Sequence, residues 1–76
     1  MKEKYLLVLY TKKKDDAPVF FGFKNITKED FKALTIDYKP SIEVQGKLFV
    51  IIERRFFKYE SDGINNYFVI VDGVKS

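Results

Sequence analysis

The sequence predicts an α+β fold, a predominantly antiparallel β-sheet in the order ββαβββ with one short helix against one face. Three observations lead there. Residues 47–72 read KLFVIIERRFFKYESDGINNYFVIVD, two arms rich in β-branched and aromatic residues around Asp62-Gly63. That dipeptide best accommodates the positive φ angles of a type I′ turn, so the arms pair as a hairpin. The stretch after Asn25 changes period, with a capping threonine, two acidic residues and apolar positions three apart, which marks a helix start. Finally, 46% hydrophobic and 17% aromatic residues in 76 positions are far from the composition of a disordered segment.

The first ten residues, MKEKYLLVLY, set a short apolar run behind a basic start. The run stops at Thr11-Lys12 without a small-residue cleavage site and falls far short of the ~20 residues of a membrane span. It reads as a strand over residues 4–12, and the expected location is cytoplasmic with no membrane association. Residues 13–17 (Lys-Lys-Asp-Asp-Ala) form a polar turn before Pro18 opens a second strand through Lys24. Pairing Leu9 opposite Phe21 and Leu7 opposite Phe23 closes this hairpin and leaves Leu6, Val8, Tyr10 and Phe20 on the other face. Apolar on both sides, the first strand reads as central.

Thr27 caps a helix over Lys28–Thr35, Glu29 and Asp30 occupy its electropositive first turn, and Phe31 and Leu34 share one face. Tyr38-Lys39-Pro40 ends any continuation, because Pro40 lacks a donor and pushes Lys39 toward extended geometry. Residues 41–45 make a brief strand that turns at Gln45-Gly46 into the arm 47–60. No linker, repeat or low-complexity segment interrupts residues 1–76, which are read as a single domain.

Chemistry is narrowed by what the chain lacks. There is no cysteine, histidine or tryptophan, so disulfides and the usual soft metal ligands are absent and stability rests on packing. A nucleophile activated by a base has only lysine to draw on. The carboxylate pairs Asp15-Asp16 and Glu29-Asp30 stand in a turn and a helix start, where acidic residues occur for structural reasons. Reading residues 58–69 as a calcium loop with Gly63 at its glycine position puts Lys58 and Val69 where carboxylates are required. No phosphate-cradling glycine motif occurs. The expectation is a non-enzymatic protein without cofactor or metal. Fourteen Lys+Arg against eleven Asp+Glu give a net charge of +3, which favours acidic partners only mildly.

At Phe21-Gly22-Phe23 the chain shares three positions with the aromatic strand of RNA-recognition-motif domains. The remaining positions of that strand differ, and no strand–helix unit fits before Val19, so Gly22 is read as a bend or close-packing glycine.

The candidate site is Glu53-Arg54-Arg55-Phe56-Phe57-Lys58-Tyr59, which carries the only two arginines. The Asp62-Gly63 turn sets Phe57 opposite Phe68, Lys58 opposite Tyr67, Arg55 opposite Ile70 and Arg54 opposite Val71. Arg55 then projects with Phe57 and Tyr59, and Arg54 with Phe56 and Lys58. Arginine amid exposed aromatics suits a protein hot spot or base stacking. Equally, it serves structure by lying over a ring or pairing with Glu53, Glu43 or Asp72. Arg54, Arg55, Phe56, Phe57, Lys58, Tyr59 and Tyr67 are the candidate partner-binding residues.

Surplus apolar surface supplies the functional expectation. One helix cannot cover a sheet that shows Leu6, Val8, Tyr10, Phe20, Phe56 and Val69 on one side and Leu7, Leu9, Phe21, Phe23, Phe57 and Phe68 on the other. Curling into a small open β-barrel would bury some of it; otherwise it is an interface for a homodimer or a heterologous protein partner. The first reading is a small protein-binding module, an inhibitor or accessory protein encoded by a virus or mobile element. That source rests on the heavy use of residues with AT-rich codons. The alternative is a single-stranded nucleic-acid-binding protein using sheet aromatics flanked by Lys and Arg.

Overall fold

The structure is a computed structural model that describes residues 2–12 and 16–75. Its elements are β1 (Lys2–Thr11), β2 (Val19–Asn25), α1 (Lys28–Thr35), β3 (Ser41–Val44), β4 (Lys47–Ser61) and β5 (Ile64–Lys75). The order ββαβββ and the helix bounds follow the sequence reading. Of the turn at residues 13–17, positions 13–15 lie outside the described residues.

The strands form one sheet in the order β2-β1-β5-β4-β3. It is mixed rather than purely antiparallel. Three pairings are antiparallel, but β1 and β5 run parallel from Lys2↔Ile64 to Thr11↔Gly73. The sheet curls into a half-barrel, in keeping with the open-barrel alternative. Its two edges approach one another: Lys24 Nζ on β2 donates to the Glu43 carbonyl on β3 at 3.0 Å, and the Phe21 and Phe49 rings meet edge to face at 5.0 Å.

Both type I′ turns form where glycine permits them. Asp62 and Gly63 have φ of 51° and 74°, Gln45 and Gly46 of 53° and 74°, the two successive positive values that such a turn needs. From Ser61 back to Glu53 the β4/β5 register is the one the turn dictates, including Phe57↔Phe68, Lys58↔Tyr67, Arg55↔Ile70 and Arg54↔Val71, and a bulge at Ile52 then shifts it by one residue. Thr27 caps α1 by accepting from the Asp30 amide at 3.1 Å.

The first hairpin is different from its expected register. Leu9 faces Gly22 and Leu7 faces Lys24, because a bulge inserts Phe21 between Gly22 and Phe20. One extra residue moves every later side chain to the opposite face. Phe23 therefore faces Val8 and points outward, whereas Phe21 turns inward onto Phe49.

Inside the curl, Leu7, Leu9, Leu34, Ile42, Val44, Phe49, Val69 and Val71 are buried, with Phe21, Ile26, Phe31 and Ile51 packed around them. The parallel pairs Leu7↔Val69 and Leu9↔Val71 put alternate residues of the two central strands on this inner side. Val69 and its β4 neighbour Phe56 thus share a face with Leu7, and Phe68 and Phe57 with Leu6. This reverses the face assigned to those four residues from the sequence. The helix lies on the inner side against β1 and β5, its Phe31 ring 5.2 Å from Tyr5 and 5.7 Å from Tyr67.

Candidate functional site

The candidate residues occupy the β4–β5 ribbon and divide between its two faces. Arg54, Phe56, Lys58 and Tyr67 lie on the inner side; Arg55, Phe57 and Tyr59 lie on the outer side. The alternation read from the sequence holds, and it means that the seven residues do not form one surface.

The inner set is largely engaged within the chain. Arg54 Nη1 donates to the Leu34 carbonyl at 2.7 Å, and its guanidinium stands 5.2 Å from the Tyr38 ring centre. Leu34 belongs to the last turn of α1, where carbonyls lack helical partners and a cation is favoured. Arg54 is thus a clamp on the helix C-terminus. Tyr67 stacks on Tyr5 at 4.9 Å and carries Lys58 Nζ 5.6 Å from its ring centre, while its hydroxyl donates to Glu3 Oε2 at 3.3 Å. The neighbouring Tyr5 hydroxyl is held above its ordinary pKa, first by desolvation and then by the Glu3 carboxylate. Phe56 faces Val69 but remains exposed beyond the helix.

The outer set sits in a broad apolar field. Leu6, Val8 and Tyr10 of β1, Phe20 and Phe23 of β2, Phe57 and Tyr59 of β4, and Phe68 and Ile70 of β5 all project from this side. No element lies over them among the described residues. Phe23 is 64% exposed and Phe57 54%. Local ring contacts fix the surface without hiding it: Tyr59 lies parallel to Phe68 at 5.5 Å, and Tyr10 meets Phe20 edge to face at 5.7 Å.

One polar feature interrupts this field. Asp72 lies between Tyr10 on β1 and Glu53 on β4. Its side chain is 9% exposed, and its Oδ1 has no hydrogen-bond partner. Arg55 approaches that oxygen only to 3.9 Å, from a side chain that is 53% exposed. Two carboxylates directly across a strand pair repel, and a buried oxygen without a donor carries a desolvation penalty. Sequence reasoning named Asp72 only as a partner for an arginine. Its place in the apolar field follows from the β1–β5 pairing, which no turn dictates. Phe23, the most exposed aromatic here, was assigned to the other face for want of a visible bulge signal.

Away from the ribbon, a half-open cavity of about 220 Å³ lies between α1 and the approaching sheet edges, with Lys24, Asp30, Lys39 and Glu43 at its rim. No helix among the described residues is long and apolar enough to cross a membrane. Comparison with known proteins finds no matching family model, no matching curated sequence and no matching solved structure.

Proposed function

We propose that this protein is a non-enzymatic binding module, an inhibitory or accessory subunit, whose outer sheet face docks a partner protein. The observation that carries this reading is the uncovered apolar face from Phe23 through Val8 and Ile70 to Phe57. Contiguous exposed apolar surface of this kind marks interaction sites, and its exposed aromatics are the residue types that concentrate binding energy. Asp72 refines the partner's chemistry. A buried carboxylate oxygen without a donor, set in that face, suits a lysine, arginine or backbone amide of the partner directed at it.

The alternative reading, a single-strand-binding platform, has Arg55 beside Phe57 and Tyr59 in its favour. Against it stand Glu53 and Asp72, which flank Arg55 on the same face and oppose its charge where phosphate would have to sit.

The test compares wild type, Phe23→Lys and Arg55→Ala as baits in extracts of the native host, in parallel with anisotropy on labelled poly-dT and poly-U. The proposal expects a protein retained by wild type and lost with Phe23→Lys, with weak single-strand binding. Sub-micromolar affinity for single strands at about 150 mM salt, lost with Arg55→Ala, would overturn it.

A further inference from the structure

The outer face is not the only unsatisfied surface, because β4 also has an open edge. β3 pairs with β4 only from Val44↔Lys47 to Ser41↔Val50, and the Ile51 amide then bonds to the Pro40 carbonyl. From residue 52 to the turn at Asp62, β4 has β5 on one side and, among the described residues, no strand on the other. Open strand edges of this length are templates for pairing, and natural sheets usually blunt them with prolines, bulges or several charges. Here the bulge at Ile52 lies at the start of the open stretch, and its charges, Glu53, Arg54, Arg55, Lys58 and Glu60, are of both signs, so a partner strand of the same sequence can pair them rather than be repelled.

We infer that the edge is closed by a second copy of this chain, β4 against β4, antiparallel about a two-fold axis at Phe57. The register follows from the side chains. Pairing about an axis normal to the sheet keeps each face continuous only when the two paired residue numbers have the same parity. Centring on Phe56 sets Arg54 against Lys58 of the other copy; centring on Arg55 or Lys58 sets like charges against themselves. Centring on Phe57 sets Arg54 against Glu60, Arg55 against Tyr59, Phe56 against Lys58 and Phe57 against itself. These pairs are opposite in charge, cation on ring, or ring on ring, and Glu53 at the end of the stretch meets the neutral Ser61. The chain ends agree with this choice. Residues 53–61 of each copy pair, and β3 of each lies beyond the hairpin turn of the other, so no strand competes for the edge.

This dimer goes beyond the docking proposal, since it uses the edge of the sheet and not its face. It also joins the two outer faces into one surface with both Phe57 rings at its centre.

Sedimentation over about 1 to 100 µM tests the assembly, and cysteine scanning tests the register in a chain with no native cysteine. Wild type should approach twice the 9.0 kDa chain mass with rising concentration. Phe57→Cys should cross-link to itself under mild oxidation, because directly opposed Cα atoms lie roughly 4.5–5.5 Å apart, within disulfide reach. Tyr59→Cys should not, since an offset of four residues along the strand is roughly 13 Å. Phe23→Lys, which blocks the docking face, should leave the dimer intact, so failure of one proposal is separable from failure of the other. A 9.0 kDa species at every concentration, equal cross-linking through positions 57 and 59, or a dimer dispersed by Phe23→Lys would each overturn the inference.

Discussion

Replacing Arg54 by alanine should destabilise the fold by about 2 kcal/mol, and replacing Arg55 should cost well under half of that. The difference arises from what the two guanidiniums touch. Arg54 makes a short charge-assisted bond to the Leu34 carbonyl at 2.7 Å and lies over Tyr38. A hydrogen bond to a charged group contributes roughly 1.5–3 kcal/mol, and a partly exposed cation–π contact roughly 0.5–1 kcal/mol. Arg54 is only half-buried, so water reaches the freed carbonyl and the sum falls toward its lower end. Arg55 has a 3.9 Å ion pair from a 53% exposed side chain, and such pairs contribute about 0–1 kcal/mol. Urea unfolding with unchanged slope, or melting, reads both; for a domain of this size about 2 kcal/mol is roughly 8–16 °C. Arg54→Lys should recover only part of the loss, because an ammonium does not reproduce the planar fork over the ring. Equal effects of the two alanine changes would refute the assignment of Arg54 as a helix clamp.

Gly63→Val should destabilise by about 1–3 kcal/mol, because φ is 74° there and a β-branched residue is strained at that value; an unmoved denaturation midpoint would argue against it. Gly73→Ala should destabilise by about 1–2 kcal/mol, since the added carbon would stand 3.0 Å from Phe49 Cβ and 3.2 Å from Leu9 Cδ1. Overpacking of roughly 1–3 kcal/mol there exceeds the roughly 0.5–1 kcal/mol gained by removing a strand glycine, and a raised midpoint would contradict that balance. Stability should be nearly flat between about pH 5 and 8, as the chain has no histidine. It should then fall as pH rises through 10 and beyond. The folded-state pKa of Tyr5 is raised, so its neutral form is favoured on folding and that contribution is lost as the hydroxyl ionises. In Tyr5→Phe the alkaline decline should be shallower.

Features fixed by local chemistry were legible in the sequence. The Asp62-Gly63 dipeptide set the β4–β5 register from Ser61↔Ile64 to Glu53↔Asp72, Thr27 set the helix start, and Gln45-Gly46 set the second tight turn. What was not legible depends on distant pairing. Nothing in residues 2–11 announces that β1 will lie parallel to β5, and the face of Phe56, Phe57, Phe68 and Val69 relative to Leu7 hangs on that choice. The Phe21 bulge was equally silent, because an aromatic, a glycine and an aromatic fit a regular strand as well as a bulged one. Within the candidate site, the alternation of Arg54 and Arg55 was readable, but the clamp on Leu34 was not, since it joins residues 20 positions apart across a helix.

The connectivity explains why one face is covered and the other is not. The turns at Gln45-Gly46 and Asp62-Gly63 keep β3, β4 and β5 within the sheet. The link from β2 to β3 must travel between opposite edges, and it is the one that carries the helix. It crosses on the inner side, where curling has already drawn the edges together and a short helix suffices to close the core. Curvature has the reverse effect outside, spreading Phe23, Phe57 and Tyr59 apart, and none of the described elements lies over them. A second layer there has to come from outside the described residues. It follows that a genuine occupant of the outer face stabilises the fold by mass action, about 2.7 kcal/mol at a free concentration one hundred times its dissociation constant. The Phe23→Lys variant, lacking the site, should show no such gain.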